Sequence, residues 1–238
     1  MAGSRSEILG KIRLALTKPR LKHHHGHHVV TSNIQELFAS VSSRDSLLEK
    51  FKKEFEYVSG EFSHCADEAD ARQVIKQLIV SSQATKVAVS AHSICERLKI
   101  EQTLQVDLPG VRFLTEDIDS ENPFDRVRLR NNLAGVELSI TGAEFLLAES
   151  GTIVVTAGSQ ASRQISLLPS IHLVVATVDQ IYPNMADLFL NLQKKYGDNL
   201  PGSALTFITG PSRTADIEKV LIKGVHGPMR LLVIVLGH

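Results

Sequence analysis

Two stretches of the sequence concentrate the small, polar and turn-forming residues from which sites are built. The first is Thr141-Gly142-Ala143-Glu144-Phe145-Leu146-Leu147-Ala148-Glu149-Ser150-Gly151-Thr152, where two carboxylates flank an apolar run and Ser150-Gly151-Thr152 turns into the strand that follows. The second is Thr209-Gly210-Pro211-Ser212-Arg213-Thr214-Ala215-Asp216-Ile217-Glu218, followed closely by Gly224-Val225-His226-Gly227-Pro228. A strand that ends in Gly-Pro-Ser and enters a helix leaves backbone N–H groups and hydroxyls aimed at one spot, which suits a carboxylate or phosphate. Here a strand at 204–208 is expected to deliver Gly210, Pro211, Ser212 and Thr214 to the carboxyl edge of a sheet. Gly151-Thr152 and Gly224 to Gly227 would line the same cleft, and His226 would donate to the anion. A plainer reading stands beside this one: Ser212 and Thr214 cap the helix and the glycines make tight turns. Glu149, likewise, can cap neighbouring backbone N–H groups. His172 opens an apolar strand and reads as a core or rim histidine. Asp216 and Glu218 fall in a first helical turn, where carboxylates stabilise the dipole.

Much chemistry has no carrier in this chain. There is no G-x-G-x-x-G and no G-x-x-x-x-G-K-[ST], so neither common nucleotide cradle is present. Cys65 and Cys95 are the only cysteines, too few for a four-thiolate iron–sulfur site or a disulfide scaffold. The expectation is a chain with no cofactor, no iron–sulfur cluster and no resident metal. The run His23-His24-His25-Gly26-His27-His28 binds metal in principle, but lies in an unperiodic connector away from Cys, Asp or Glu ligands. Lys plus Arg and Asp plus Glu both number 26, which gives no electrostatic case for nucleic acid or an anionic membrane. The longest apolar runs, such as Leu231 to Leu236, are strand-sized. With no signal-peptide-like start and little cysteine, the chain is expected in the cytoplasm.

The elements that must position these residues follow from periodicity. Ile8, Leu9, Ile12 and Leu16 mark a helix, Pro19 ends it, and helical spacing returns from Asn33 and again from Ser43 with Leu47, Leu48, Phe51 and Phe55. Residues 1–59 are thus expected to form a helical extension with a His-rich connector, and 60–238 an α/β domain. Short β-branched runs predict strands near 60–65, 86–90, 111–115, 136–141, 152–156, 172–177, 204–208 and 231–236. Helices are predicted near 68–81, 92–98, 124–132, 184–195 and 214–222. Continuous rather than alternating apolar runs indicate a mainly parallel sheet flanked by helices.

The two dense stretches, ITGAEFLLAESGTIVV and TGPSRTADIEKVLIKGVHGPMRLLVIV, resemble the lactate-utilisation protein C family (LutC/YkgG), whose members carry a LUD domain. Arg163, Ser166-Leu167-Leu168-Pro169 and His172 look like that family's segment between the two. The resemblance covers roughly residues 60 to 238. It implies a fold like the NagB/RpiA/CoA-transferase group and a role as accessory component of an iron–sulfur-dependent oxidation of lactate to pyruvate. Iron–sulfur subunits are the implied partners, with a small organic anion as ligand. In CoA transferases of that group a glutamate in a Glu-x-Gly turn attacks a thioester. Glu149-Ser150-Gly151 resembles that turn, so an acyl-transfer enzyme using Glu149 is one alternative and a small-molecule sensor on the same scaffold another.

Overall fold

The short apolar runs sort into two sheets rather than one. The computed structural model describes residues 43–115, 131–133, 135–157, 163–197, 202, 204–215, 221–223 and 226–237. Six strands, β1 (Glu61–Cys65), β2 (Lys86–Val89), β3 (Arg112–Thr115), β4 (Leu138–Gly142), β7 (Ile171–Thr177) and β12 (Arg230–Leu236), form a wholly parallel sheet in the order β1-β12-β7-β4-β2-β3. Four more, β5 (Phe145–Leu147), β6 (Thr152–Ala157), β8 (Ile181–Tyr182) and β9 (Ala204–Ile208), form a mixed sheet in the order β8-β5-β6-β9. Strands β10 (Arg213–Ala215) and β11 (Leu221–Lys223) pair antiparallel on their own.

Helices lie on both faces of the parallel sheet, so its central strands β2, β4, β7 and β12 are largely buried, whereas edge strand β1 (Glu-Phe-Ser-His-Cys) is partly exposed. α1 (Arg44–Tyr57) begins at Ser43, whose hydroxyl accepts from the Ser46 N–H, and buries Leu48, Phe51 and Phe55 at helical spacing. α2 (Glu68–Ser82) is capped by Asp67, which accepts from Ala69 and Asp70 N–H groups at 2.8 and 2.9 Å, and buries Ala71, Ile75, Leu78 and Ile79. α3 (Ser93–Leu98) and α4 (Ile100–Asp107) follow β2, α5 (Arg163–Leu167) precedes β7, and α6 (Met185–Tyr196) follows β8. Alternation along each strand divides the packing. Leu173 and Val175 of β7 face α2, α3 and α4, whereas Val174 and Ala176 face α1 and the mixed sheet. Beyond the mixed sheet, Phe145, Leu147 and Val154 pack on Leu188 and Leu192 of α6. Four layers result: helices, parallel sheet, mixed sheet with α1, and α6.

Strand order locates the place where a ligand fits. The chain leaves β2 to form β3 on one side and returns to form β4 on the other. The carboxyl ends of β2 and β4 therefore diverge in connection and leave a crevice, which is where open α/β sheets bind ligands.

Several details depart from the sequence-based expectation. The helix over 214–222 is replaced at both ends by the β10–β11 pair, in which Thr214 lies opposite Ile222. Ile217, Val220 and Leu221 satisfy a helical spacing in sequence, but the β-branched Thr214 and Ile222 suit facing positions on two strands. The strand at 204–208 joins the mixed sheet antiparallel to β6, not the parallel sheet. Gly210 to Ser212 consequently lead into strand β10, and among the described residues no helix N-terminus gathers their N–H groups. The helix near 6–17, the His23–His28 run, most of the helix at 124–132, Asp216, Glu218 and Gly224 lie outside the described residues. Among the described residues no helix is long and apolar enough to cross a membrane.

Candidate functional site

The crevice between β2 and β4 is built from six separate elements: the end of β2, α3, β4, β6, β9 and α5. Ser90 follows β2, is buried, and donates its N–H to Ile140 O at 2.9 Å, which ties the two strand ends together. His92 is the N-cap of α3, and its Nδ1 accepts from the Ile94 N–H at 3.3 Å. With that lone pair engaged, a neutral His92 ring carries its proton on Nε2, 3.7 Å from Glu144 Oε1. Glu144 in turn accepts from Thr156 Oγ1 at 3.2 Å. Gly142 is glycine for a local reason: a β-carbon there would overlap the His92 imidazole. Thr141 and Gly142 form one wall, Val155, Thr156 and Thr206 of the mixed sheet a second, and Arg163, Ile165 and Ser166 of α5 a third. The cleft is narrow, with a cavity volume of about 20 Å³.

Under the floor lies His172, fully buried, with Nε2 2.8 Å from Thr141 Oγ1. Burial pushes its pKa down to about 3, because the apolar surroundings penalise the charged ring. Ser139 occupies the adjacent position on β4, opposite His172 in register, and donates to Ile171 O. Among the described residues, Ser90, Ser139, Thr141, Ser166 and His172 account for five of the six buried polar side chains. Polar groups are thus gathered beneath one cleft rather than scattered through the described core, which makes the cleft the candidate site. The cleft offers one guanidinium, several hydroxyls and a His–Glu pair. This set can neutralise a carboxylate and also hydrogen-bond a hydroxyl or keto oxygen.

Of the residues singled out by sequence, Thr141, Gly142, Arg163 and Ser166 line this cleft and His172 lies against Thr141, whereas the described residues of stretches 149–152 and 210–227 lie elsewhere. Ser150 Oγ lies 2.7 Å from Thr152 Oγ1, which lies 2.8 Å from Thr209 Oγ1, giving a short hydroxyl chain. Gly151, at φ +60°, lets its backbone press against the backbone of Glu54 and Phe55 in α1. Gly210, at φ +81°, does the same at the Val58 carbonyl, which also accepts from the Arg213 guanidinium. Pro211 is buried, and the Ser212 N–H donates to Pro228 O at 2.8 Å, with Gly227 against the Ser212 side chain. His226 is exposed, and the backbone of Thr214 lies in β10. Glu149 Oε1 accepts from the Met185 N–H at 2.7 Å, at the N-terminus of α6. This second assembly clasps the carboxyl end of α1, on the far side of the mixed sheet's ladder from the cleft.

Ser90, His92, Thr156 and Thr206 were not legible as site residues. The signal available was small: a histidine two residues before the start of an apolar helical stretch, just past a short strand. That is cap spacing, and only the fold shows that the cap sits at the strand-order reversal.

A doubly wound parallel α/β domain with a polar cleft at its strand-order reversal belongs to the class that holds small ligands at strand ends. The family model of the LUD domain matches residues 48–236, and the chain belongs to this family. Lactate utilization protein C of Halalkalibacterium halodurans is 40% identical over 110 residues, covering 45% of this chain and 47% of that protein. The match therefore spans about half the length of that relative. Lactate utilization protein C of Anoxybacillus flavithermus is 28% identical over 228 residues, 94% of this chain and 92% of that one. The Escherichia coli protein YkgG, described as uncharacterized, is 30% identical over 174 residues, 71% of this chain and 70% of that one. A crystal structure of a DUF162 family protein from Deinococcus radiodurans superposes with a TM-score of 0.58 at 23% identity, covering 82% of this chain and 99% of that chain. At that identity the likeness concerns the fold.

Proposed function

We propose that this protein is a cytoplasmic component of a lactate-utilisation system and binds a small organic anion, of the size of lactate or pyruvate, in the cleft between β2 and β4. The observation that carries this reading is the cleft itself: Arg163 at its rim, with Thr141, Ser90 and Ser166 buried within it, where strand order reverses. A guanidinium suits the planar carboxylate, and the hydroxyls and the His92–Glu144 pair suit the oxygen on the neighbouring carbon. Relatives named for lactate utilisation point to the same class of ligand. Oxidising lactate removes two electrons, and in this reading iron–sulfur partner subunits accept them while this chain binds and presents the acid. The acyl-transfer alternative would require the Glu149 carboxylate to leave its hydrogen bond to Met185.

Titration calorimetry of the purified full chain with lactate and with pyruvate tests the reading. At least one acid is expected to bind, and Arg163→Met to weaken it by about tenfold or more, as loss of a charge-assisted pair does. Absence of binding for both acids, or affinity unchanged in Arg163→Met, would refute it.

A further inference from the structure

Around the cleft, one buried side chain has a hydrogen-bonding atom left over. His172 sits in the middle of the parallel sheet, fully buried, with Nε2 2.8 Å from Thr141 Oγ1. Among the described residues its Nδ1 has no hydrogen-bond partner. A neutral imidazole has one donor nitrogen and one acceptor nitrogen, so two arrangements exist. If Nδ1 carries the proton, a buried N–H is left unpaired, Thr141 spends its proton on Nε2, and only lone pairs face the cleft. If Nε2 carries it, the ring donates to Thr141 Oγ1 and the unpaired atom is an acceptor. Unpaired acceptors are tolerated in protein interiors better than unpaired N–H groups. In this second arrangement the Thr141 hydroxyl keeps its proton and needs an acceptor, and the cleft that Thr141 lines is where one can sit.

We infer that His172 is held as the Nε2–H tautomer and, by donating to Thr141, turns the Thr141 hydroxyl into a donor aimed into the cleft, so that the cleft selects a carboxylate oxygen over a group that only donates. His172 is then a positioning residue acting through Thr141. The inference rests on the reading that this cleft binds an organic anion, and it assigns the direction of one hydrogen bond within it. Depression of the His172 pKa to about 3 is consistent, since the ring then stays neutral while the ligand acid is ionised. Position and surroundings also separate this device from ordinary core packing. His172 shares its face of the sheet with Ser139 and Thr141, and the cleft opens directly above Thr141.

Nitrogen-15 NMR of the labelled full chain reads the tautomer without any ligand. The His172 ring is identified as a histidine whose nitrogen shifts do not move between about pH 5 and 8, as a pKa near 3 requires, and by loss of its signals in His172→Gln. A protonated Nε2 with a bare Nδ1 is expected; a protonated Nδ1 overturns the inference even if lactate binds. Affinity then tests the consequence. Thr141→Val is expected to weaken lactate by about tenfold and the neutral amide of lactate, whose carbonyl oxygen accepts without charge assistance, by less, and Thr141→Ser to restore the difference. Equal losses for acid and amide, or no loss with Val, overturn the selection. A wild-type chain that binds neither lactate nor pyruvate overturns the proposed function and with it the ligand half of this inference, while the NMR still judges the tautomer.

Discussion

The β6–β9 ladder has two ends that look alike in sequence and differ in use. At one end Thr152 and Thr209 join a hydroxyl chain, and Gly151 and Gly210 bring backbone against α1. At the other, Thr156 and Thr206 face the cleft with Arg163, His92 and Thr141. Thr152 and Thr156 are four residues apart on one strand, about 13 Å at strand rise. The first end is rich in glycine because two backbones approach closely there, and close approach consumes the N–H groups and space that a ligand would need. At the second end Gly142 makes room for an imidazole rather than for a backbone. Density of small residues in a sequence therefore signals proximity, whereas a ligand cleft is assembled from single residues at the ends of elements distant in the chain.

The largest expected effect lies at the first end. Phe51 and Phe55 are completely buried, with ring centroids 5.5 Å apart, and Gly60 and Gly151 both abut Phe55. Phe55→Ala should cost about 3–5 kcal/mol of unfolding free energy, read by urea denaturation. The affinity for the acid should persist wherever the variant remains folded. A loss below about 1 kcal/mol would mean that α1 does not anchor this end of the molecule, and the contrast between the two ends would weaken.

A slower loss belongs to the cleft end. His172 has a folded pKa near 3, below its ordinary value near 6.5. Between those values the unfolded chain binds a proton that the folded chain refuses, so stability is full above about pH 6.5 and falls as the pH drops. The slope from this one group reaches about 1.4 kcal/mol per pH unit and ends near pH 3, where both states are protonated. Carboxylates add their own dependence, so the quantity to read is the difference between wild type and His172→Gln in denaturation curves from pH 7 to 4. A difference that stays constant across that range would show that His172 is not buried neutral.

How far sequence reaches is visible in the same two regions. Eight strands are readable, most of them because each is a short apolar run bounded by turn residues, and periodicity reports that directly. Missing from view were α4 and α5, eight and five residues long and so shorter than the window in which helical periodicity shows, and β5 and β8, three and two residues long. The split into two sheets could not be read, since period-2 alternation is weak in strands buried on both faces. Sequence patterns group neighbours in the chain, so Thr141 and Gly142 were marked as a site together with Ser150 to Thr152. The fold separates them, because β5 and the turn after it carry the chain from the crevice to the other end of the ladder. Ser90, His92 and Thr206 carry no local pattern that distinguishes them from loop and strand residues. Only the return of β4 beside β2 makes them a site.

The smallest expected effect, and the sharpest test of where chemistry ends and packing begins, concerns Glu149. Its carboxylate accepts from Met185 N–H while Asn184 Oδ1 accepts from Asp187 N–H at 2.9 Å, so two side chains share the start of α6. Glu149→Gln keeps an oxygen in place and loses only the charge that complements the helix dipole, a cost of about 0.3–1 kcal/mol. Glu149→Ala removes the acceptor as well and should cost about 1 kcal/mol. Neither substitution should alter affinity for lactate or pyruvate, because Glu149 is not among the residues lining the cleft. Thermal denaturation and calorimetry on the two variants measure both quantities. A stable Glu149→Gln variant that loses an acyl-transfer activity present in the wild type would move the chemistry to the glycine-rich end of the ladder. Unchanged binding with the graded stability loss, Ala greater than Gln, would leave that end as the clasp on α1 and α6 and the cleft as the place where the ligand sits.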